Sequence, residues 1–237
     1  MALQFYFGPS GSGKSKRLHQ DVLHMAAKDP DCNFLFLVPD QFTMQTQMDL
    51  VKESPGGGIM NIDVLSFGRL THRIFEETGY GRRPVLDDTG KSLVLRKVAS
   101  SVKENLPVLS GNLNKIGYIH EIKSAISEFK QYGLSVERVG ELAEFSKSRG
   151  TLYYKLKDLK TLYQAFDAYV AERFITTEDT LALLSRAVHE SKIMKNSVVI
   201  FDGFTGFTPT QYDLLEKMMR DIQNAKDTIN VEYFIIK

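Results

Sequence analysis

From Asn33 to Val38 the chain reads NFLFLV, an apolar run with no alternation that stops at Pro39. A short stretch apolar on both faces predicts a buried parallel strand. Ser197–Phe201 (SVVIF) has the same character, and Leu3–Phe7, short, rich in aromatic and apolar residues and ended by a glycine, reads as another strand. Met60, Ile62 and Val64 alternate with polar neighbours as a further strand would, and Ile229–Ile236 (INVEYFII) predicts a last one. Between these runs the apolar period lengthens. Leu18, Val22, Met25 and Ala26 mark a helix over Ser15–Ala27, and Gln41–Lys52 suits another. Phe67, Leu70 and Ile74 mark a third, with Ser66 placed to cap it. Strands alternating with helices predict a parallel sheet with crossover helices on both faces.

The pattern changes at Pro84. From there to Thr177 no segment reads as a strand, and helices are predicted near Asp88–Glu104, Asn112–Tyr132, Val136–Phe145 and Leu152–Arg173. Tyr153, Leu156, Leu159, Leu162, Tyr163 and Phe166 keep helical spacing and read as a packed core stripe rather than an aromatic platform for nucleic acid. Lys155, Lys157 and Lys160 read as solvated surface. A helix from Thr177 or Glu178 through Ser191 returns to the sheet, and Thr208-Pro209 opens a helix carrying Tyr212, Leu215 and Met219. The division expected is a discontinuous α/β domain, 1–83 with 178–237, holding a helical insertion, 84–177. A chain ending one residue after a strand is expected to be a piece of a longer polypeptide.

Chemistry enters at GPSGSGKS. Gly8, Pro9, Ser10, Gly11, Ser12, Gly13, Lys14 and Ser15 satisfy G-x-x-x-x-G-K-[ST] between a predicted strand and a predicted helix. That context turns backbone N–H groups and a helix N-terminus toward phosphate oxygens. Lys14 would reach the terminal phosphates, and the Ser15 hydroxyl would ligate Mg²⁺. Such a site also needs an acid at the end of a neighbouring apolar strand, to hold Mg²⁺ through water. Asp202, directly after VVIF, has that form, with a turn or capping aspartate as the alternative. The next residue is Gly203, which cannot act as a general base.

Composition adds limits. At 237 residues with 43% hydrophobic and 25% charged content, the chain reads as an ordinary globular protein. A net charge of +1 leaves no global footprint for nucleic acid, so any DNA contact must be local. The single cysteine, Cys32, excludes an intramolecular disulfide and a cysteine metal cluster. No secretory h-region follows Met1 and no apolar run approaches a membrane span, so a cytoplasmic location without membrane contact is expected.

In order along the chain, GPSGSGKS, FLFLVPDQ, VLSFGRLTHRIF and VVIFDGFTGFTPTQ resemble the first motor domain of UvrD-type superfamily 1 helicases. Val38-Pro39 and Leu65-Ser66-Phe67 look like their two motifs that contact single-stranded DNA. Their Mg²⁺ and water motif reads D-E-F-Q-D, with a glutamine nine residues after the first aspartate. Asp202, Phe204 and Gln211 keep their places, whereas Gly203, Thr205 and Gly206 stand for Glu, Gln and Asp. An intact phosphate loop with a degraded second motif is similar to the AddB family (RexB in some groups), one of the two components of bacterial AddAB ATP-dependent helicase–nucleases.

The resemblance implies a P-loop NTPase (RecA-like) fold, ATP or ADP with Mg²⁺ as ligands, and DNA, especially single-stranded, as a partner. It also implies an AddA-type motor and nuclease subunit as heterodimer partner, and a role in double-strand break repair and recombination. The family's nuclease and its iron–sulfur cluster belong to a C-terminal part lying beyond this chain. For DNA, the candidates are Gln41, Thr43, Ser66, Arg69, His72 and Arg73, with Phe42 or Phe67 to stack a base. Phe67 also falls on an apolar helix face, where a core role competes, and Arg82-Arg83 is either a local basic contact or a solvated turn. A second class stays open: a stand-alone P-loop small-molecule kinase with the helical insertion as its lid.

Overall fold

The structure is a computed structural model that describes residues 4–80, 83–224 and 230–234, with side chains through 219. In chain order its elements are β1 (Gln4–Phe5), α1 (Lys14–Lys28), β2 (Asn33–Leu37), α2 (Thr43–Glu53), β3 (Ile62–Leu65) and α3 (Phe67–Thr78). Then come β4 (Val85–Leu86), α4 (Asp88–Ser101), α5 (Ile116–Gln131), α6 (Val136–Phe145), α7 (Thr151–Ala171) and β5 (Ile175–Thr176). The last are α8 (Thr177–Ala187), α9 (Lys192–Lys195), β6 (Ser197–Phe201), α10 (Pro209–Asn224) and β7 (Asn230–Phe234). The chain forms two compact units: Met1–Tyr80 with Leu181–Phe207 and Gln211–Lys237, and Gly81–Thr180 with Thr208–Thr210.

The first unit is α/β. Its sheet runs β1-β7-β6-β2-β3, and every pairing is parallel. The unbroken apolar runs follow from burial on both faces. On β2, Leu35 and Leu37 face one core with Val199 and Phe201 of β6, Leu70 and Ile74 of α3, and Leu214 of α10. Phe34 and Phe36 face the opposite core, with Val198 and Ile200, Leu18 and Val22 of α1, and Leu50 of α2. Leu18 and Val22 are fully buried, each worth about 1.5–3 kcal/mol relative to exposure. Ser66 caps α3, its side chain accepting from the Arg69 N–H, and Pro209 opens α10, where a missing N–H costs nothing. Met60 lies before β3 rather than in it and is almost fully exposed. Of the predicted last strand, Ile229, Ile235 and Ile236 lie outside the described residues, as does Leu3 of the first.

The second unit is built on α4, α5, α6 and α7, whose core includes Leu95, Val98, Ile119, Ile122, Leu162 and Phe166. It is not wholly helical. Val85–Leu86 and Ile175–Thr176 pair in parallel, extended by Ile175 N–H donating to the Pro84 carbonyl. Two residues per strand are too few to show a period, which is why the pattern reads as helix and loop only. The buried Asp158 carboxylate accepts from the Val108 and Leu109 N–H groups, both at 2.8 Å. Lys91 and Lys130 are buried but paired, the first with Asp88 and Glu178 and the second with Asp167 and Asp179. No described helix is long and apolar enough to cross a membrane.

Candidate functional site

The loop after β1 turns through Gly11 and Gly13, both at positive φ (79° and 83°), and α1 begins at Lys14. A side chain there would be strained, so glycine is what lets this loop fold back on the helix start. At Gly8 a Cβ would sit 2.6 Å from Ser12 Oγ, a contact that rotation of the serine side chain relieves. The Lys14 side chain curls under the loop. Its Nζ donates to the carbonyls of Gly8 (2.8 Å) and Pro9 (2.7 Å) and approaches Ser12 Oγ at 3.4 Å. Lys14 is buried, and all three partners are neutral. Among the described residues this buried ammonium is held by dipoles without a counter-charge, and an anion beside it would be stabilised.

Ser15, one residue on, donates its hydroxyl to Asp202 Oδ1 at 3.1 Å, closing a gap of 187 positions. Asp202 follows β6 and is buried, and its own N–H donates to the Leu37 carbonyl at 3.0 Å. A hydroxyl and a carboxylate oxygen are hard donors of the type Mg²⁺ takes. Among the described residues no group of three or more His, Cys, Asp or Glu could hold a metal ion.

Gly203 has φ of 77°, a left-handed conformation, and a Cβ on it would meet Pro39 Cδ and Phe42 Cδ2 at 3.5 Å. From here the chain enters a cleft of ≈ 460 Å³ at the carboxyl ends of β2, β3 and β6. Ligands of open parallel sheets bind at such ends. Gln41, Phe42, Ser66, Phe67, Thr205 and Gln211 are among its walls. Phe42 is exposed enough to present a ring face, while Phe67 is buried against Phe201, Phe204 and Phe207 and forms a wall rather than a free platform.

The cleft does not gather every DNA candidate. Thr43 is buried, with its hydroxyl on the Asp40 carbonyl, and Ser66 is buried in its capping role. Arg73 is held in an ion pair with Asp63, and His72 lies beside Glu76 at 3.5 Å. Arg69 is exposed and makes no ion pair among the described residues. Arg82 lies outside the described residues; Arg83 donates to the Ala171 carbonyl. Phe207 joins Phe204 and Phe67 in one aromatic cluster; Phe204 keeps a motif place in the sequence, but Phe207 shows by neither motif nor helical period. The available signal is a phenylalanine at every third position from 201 to 207.

Residues 5–233 match the family described as "ADDB, N-terminal". A Lachnoclostridium phytofermentans protein, the B component of an ATP-dependent helicase/deoxyribonuclease, is 44% identical over 98% of this chain and 20% of its own length. Proteins of the same description from Ruminiclostridium cellulolyticum and Clostridium kluyveri are 31% and 34% identical, over 97% and 92% of this chain. They are matched over 20% and 19% of their own length, so the chain spans about a fifth of these curated relatives.

Proposed function

The chain belongs to the ADDB N-terminal family, and on that premise we propose that it is a nucleotide-binding, helicase-derived DNA-recognition module that is not itself a motor. It would serve the B component of an ATP-dependent helicase/deoxyribonuclease in double-strand break repair and recombination. On this reading the first unit is a P-loop NTPase (RecA-like) domain, working in the cytoplasm beside an AddA-type motor and nuclease subunit. The nuclease and its iron–sulfur cluster lie in the rest of the longer protein. The observation that carries the reading is the contact between Ser15 and Asp202, which joins two separately predicted halves of one site.

The residues divide the work. The Gly8–Ser15 backbone and the start of α1 offer N–H groups to phosphate oxygens, and Lys14 supplies the positive charge. Ser15 would hold Mg²⁺ directly and Asp202 through water; when bound, the ion neutralises phosphate charge. At Gly203 there is no group to orient or deprotonate an attacking water. A positioned general base contributes about 10²–10⁴-fold and an arginine finger about 10³–10⁵-fold, and neither is supplied by this chain. The site therefore holds nucleotide with only background hydrolysis. The cleft at the ends of β2, β3 and β6 takes a single strand of DNA, with Gln41, Phe42 and Phe67 in its wall. Family membership speaks against the stand-alone kinase. Binding of Mg·ATP by the chain, lost in Lys14→Ala and unaccompanied by turnover, is the experiment that tests the reading.

A further inference from the structure

We propose that the turn joining α6 to α7 is a second nucleic-acid contact surface, which takes the phosphates and unstacked bases of a single strand. The inference rests on the DNA-binding reading above and adds a site in the helical unit that the family motifs do not touch.

The core stripe of α7 holds at Leu162, Tyr163 and Phe166 but fails in its first turn. Tyr153 is only half-buried, Tyr154 is 50% exposed, and Phe145 at the end of α6 is 85% exposed. Leu142 and Leu152 are exposed beside them in sequence. Large apolar side chains gathered at one turn mark an interaction surface rather than scattered exposure. The turn is a built structure. Glu144 accepts from the Tyr153 hydroxyl at 3.4 Å and pairs with Lys147 at 2.6 Å. Tyr153 and Tyr154 meet edge to face at 5.1 Å, and the Lys157 ammonium lies 5.3 Å from the Tyr153 ring centre.

Charge selects the occupant. Residues 145–157 carry four basic side chains and no acidic one. Glu144 neutralises Lys147, whereas Arg149 and Lys155 are exposed and make no ion pair among the described residues. The partner must therefore be anionic. Exposed rings and arginine also serve protein–protein interfaces, but rings set among unpaired arginine and lysine are the arrangement by which proteins hold single strands, their cations on the phosphates and their rings under the bases. Stacking does not depend on long-range charge, so a local patch can act on a chain of near-neutral net charge.

The test is photocrosslinking of the chain at low salt to a short single-stranded oligonucleotide carrying 5-bromodeoxyuridine, with adducts mapped by mass spectrometry. Adducts are expected on Phe145, Tyr153 or Tyr154. Their yield should fall roughly tenfold when Arg149→Glu and Lys155→Glu are combined, since two phosphate contacts reverse sign. Polyglutamate, a mimic of an acidic protein, should compete poorly. Adducts confined to 38–42 and 203–211 would overturn this surface and leave the DNA reading intact. Polyglutamate competing as well as the oligonucleotide would overturn it in favour of an acidic protein. No adduct anywhere on the unaltered chain would remove the DNA reading itself.

Discussion

The Ser15 hydroxyl and the Asp202 carboxylate lie 3.1 Å apart at the ends of two different elements, the start of α1 and the end of β6. The parallel sheet sets this meeting, since it brings the end of β6 up to the loop that opens α1. If their shared role is to hold Mg²⁺, Asp202→Ala should weaken Mg²⁺-dependent nucleotide binding more than binding in the presence of a chelator. Calorimetric titrations with and without Mg²⁺ give the comparison. Equal losses would make Asp202 a structural acceptor for Ser15.

Gly203→Glu supplies the carboxylate that the proposed site lacks but places it on a backbone with φ of 77°. An L-residue in that region costs about 1–2 kcal/mol. The variant should lose that much stability in urea unfolding and should still release phosphate only at background rate. Motor-like release would show that the missing base alone had silenced the site.

Binding of single-stranded DNA by the chain should be weak and should vanish with added salt, since net charge is +1 and contacts are local. Phe42→Ala should weaken it further by about 1 kcal/mol, the low end for losing one stacked base. Fluorescence anisotropy across a salt series reads both effects. Tight binding insensitive to salt would contradict the local character of the interface.

In the helical unit, hydrogen bonds from Lys123 and then Lys91 hold the Asp88 carboxyl down to about 2. A carboxyl whose folded value lies below its unfolded value of about 3.9 stabilises the fold above that pH. The contribution is lost as pH falls through about 2. Because the Asp88 side chain is 74% exposed, solvent screening limits its worth to a few tenths of a kcal/mol. The stability gap between the unaltered chain and Asp88→Asn should therefore be small at pH 5 and close toward pH 2. A gap that widens on acidification would reverse the assignment.

The elements that show in the sequence are those whose burial imposes a pattern over several residues. Asn33–Leu37 and Ser197–Phe201 are buried on both faces, so they read as apolar runs, and the GPSGSGKS loop carries its geometry in its glycines. The two-residue pair Val85–Leu86 and Ile175–Thr176 imposes no period and stays hidden. The site is legible as parts but not as an assembly. Asp202 stands out by its position after VVIF, yet its meeting with Ser15 depends on the strand order β1-β7-β6, which local pattern does not encode. Thr43 and Ser66 illustrate the converse. Their hydroxyls suit DNA contact in sequence, but the backbone uses both locally, at the Asp40 carbonyl and the α3 cap.

The fate of ATP at Lys14 separates a holding site from a motor. Among the described residues the buried ammonium has only neutral partners, and the glycine after Asp202 cannot activate water. The decisive measurement is to incubate the chain and Lys14→Ala with Mg²⁺ and γ-labelled ATP, with single-stranded DNA present. Retained nucleotide and released phosphate are then counted from the same sample. The unaltered chain should retain intact ATP with phosphate release no faster than background, and Lys14→Ala should retain little. Phosphate release at a motor-like rate that disappears in Lys14→Ala, or no retention by the unaltered chain, would contradict it.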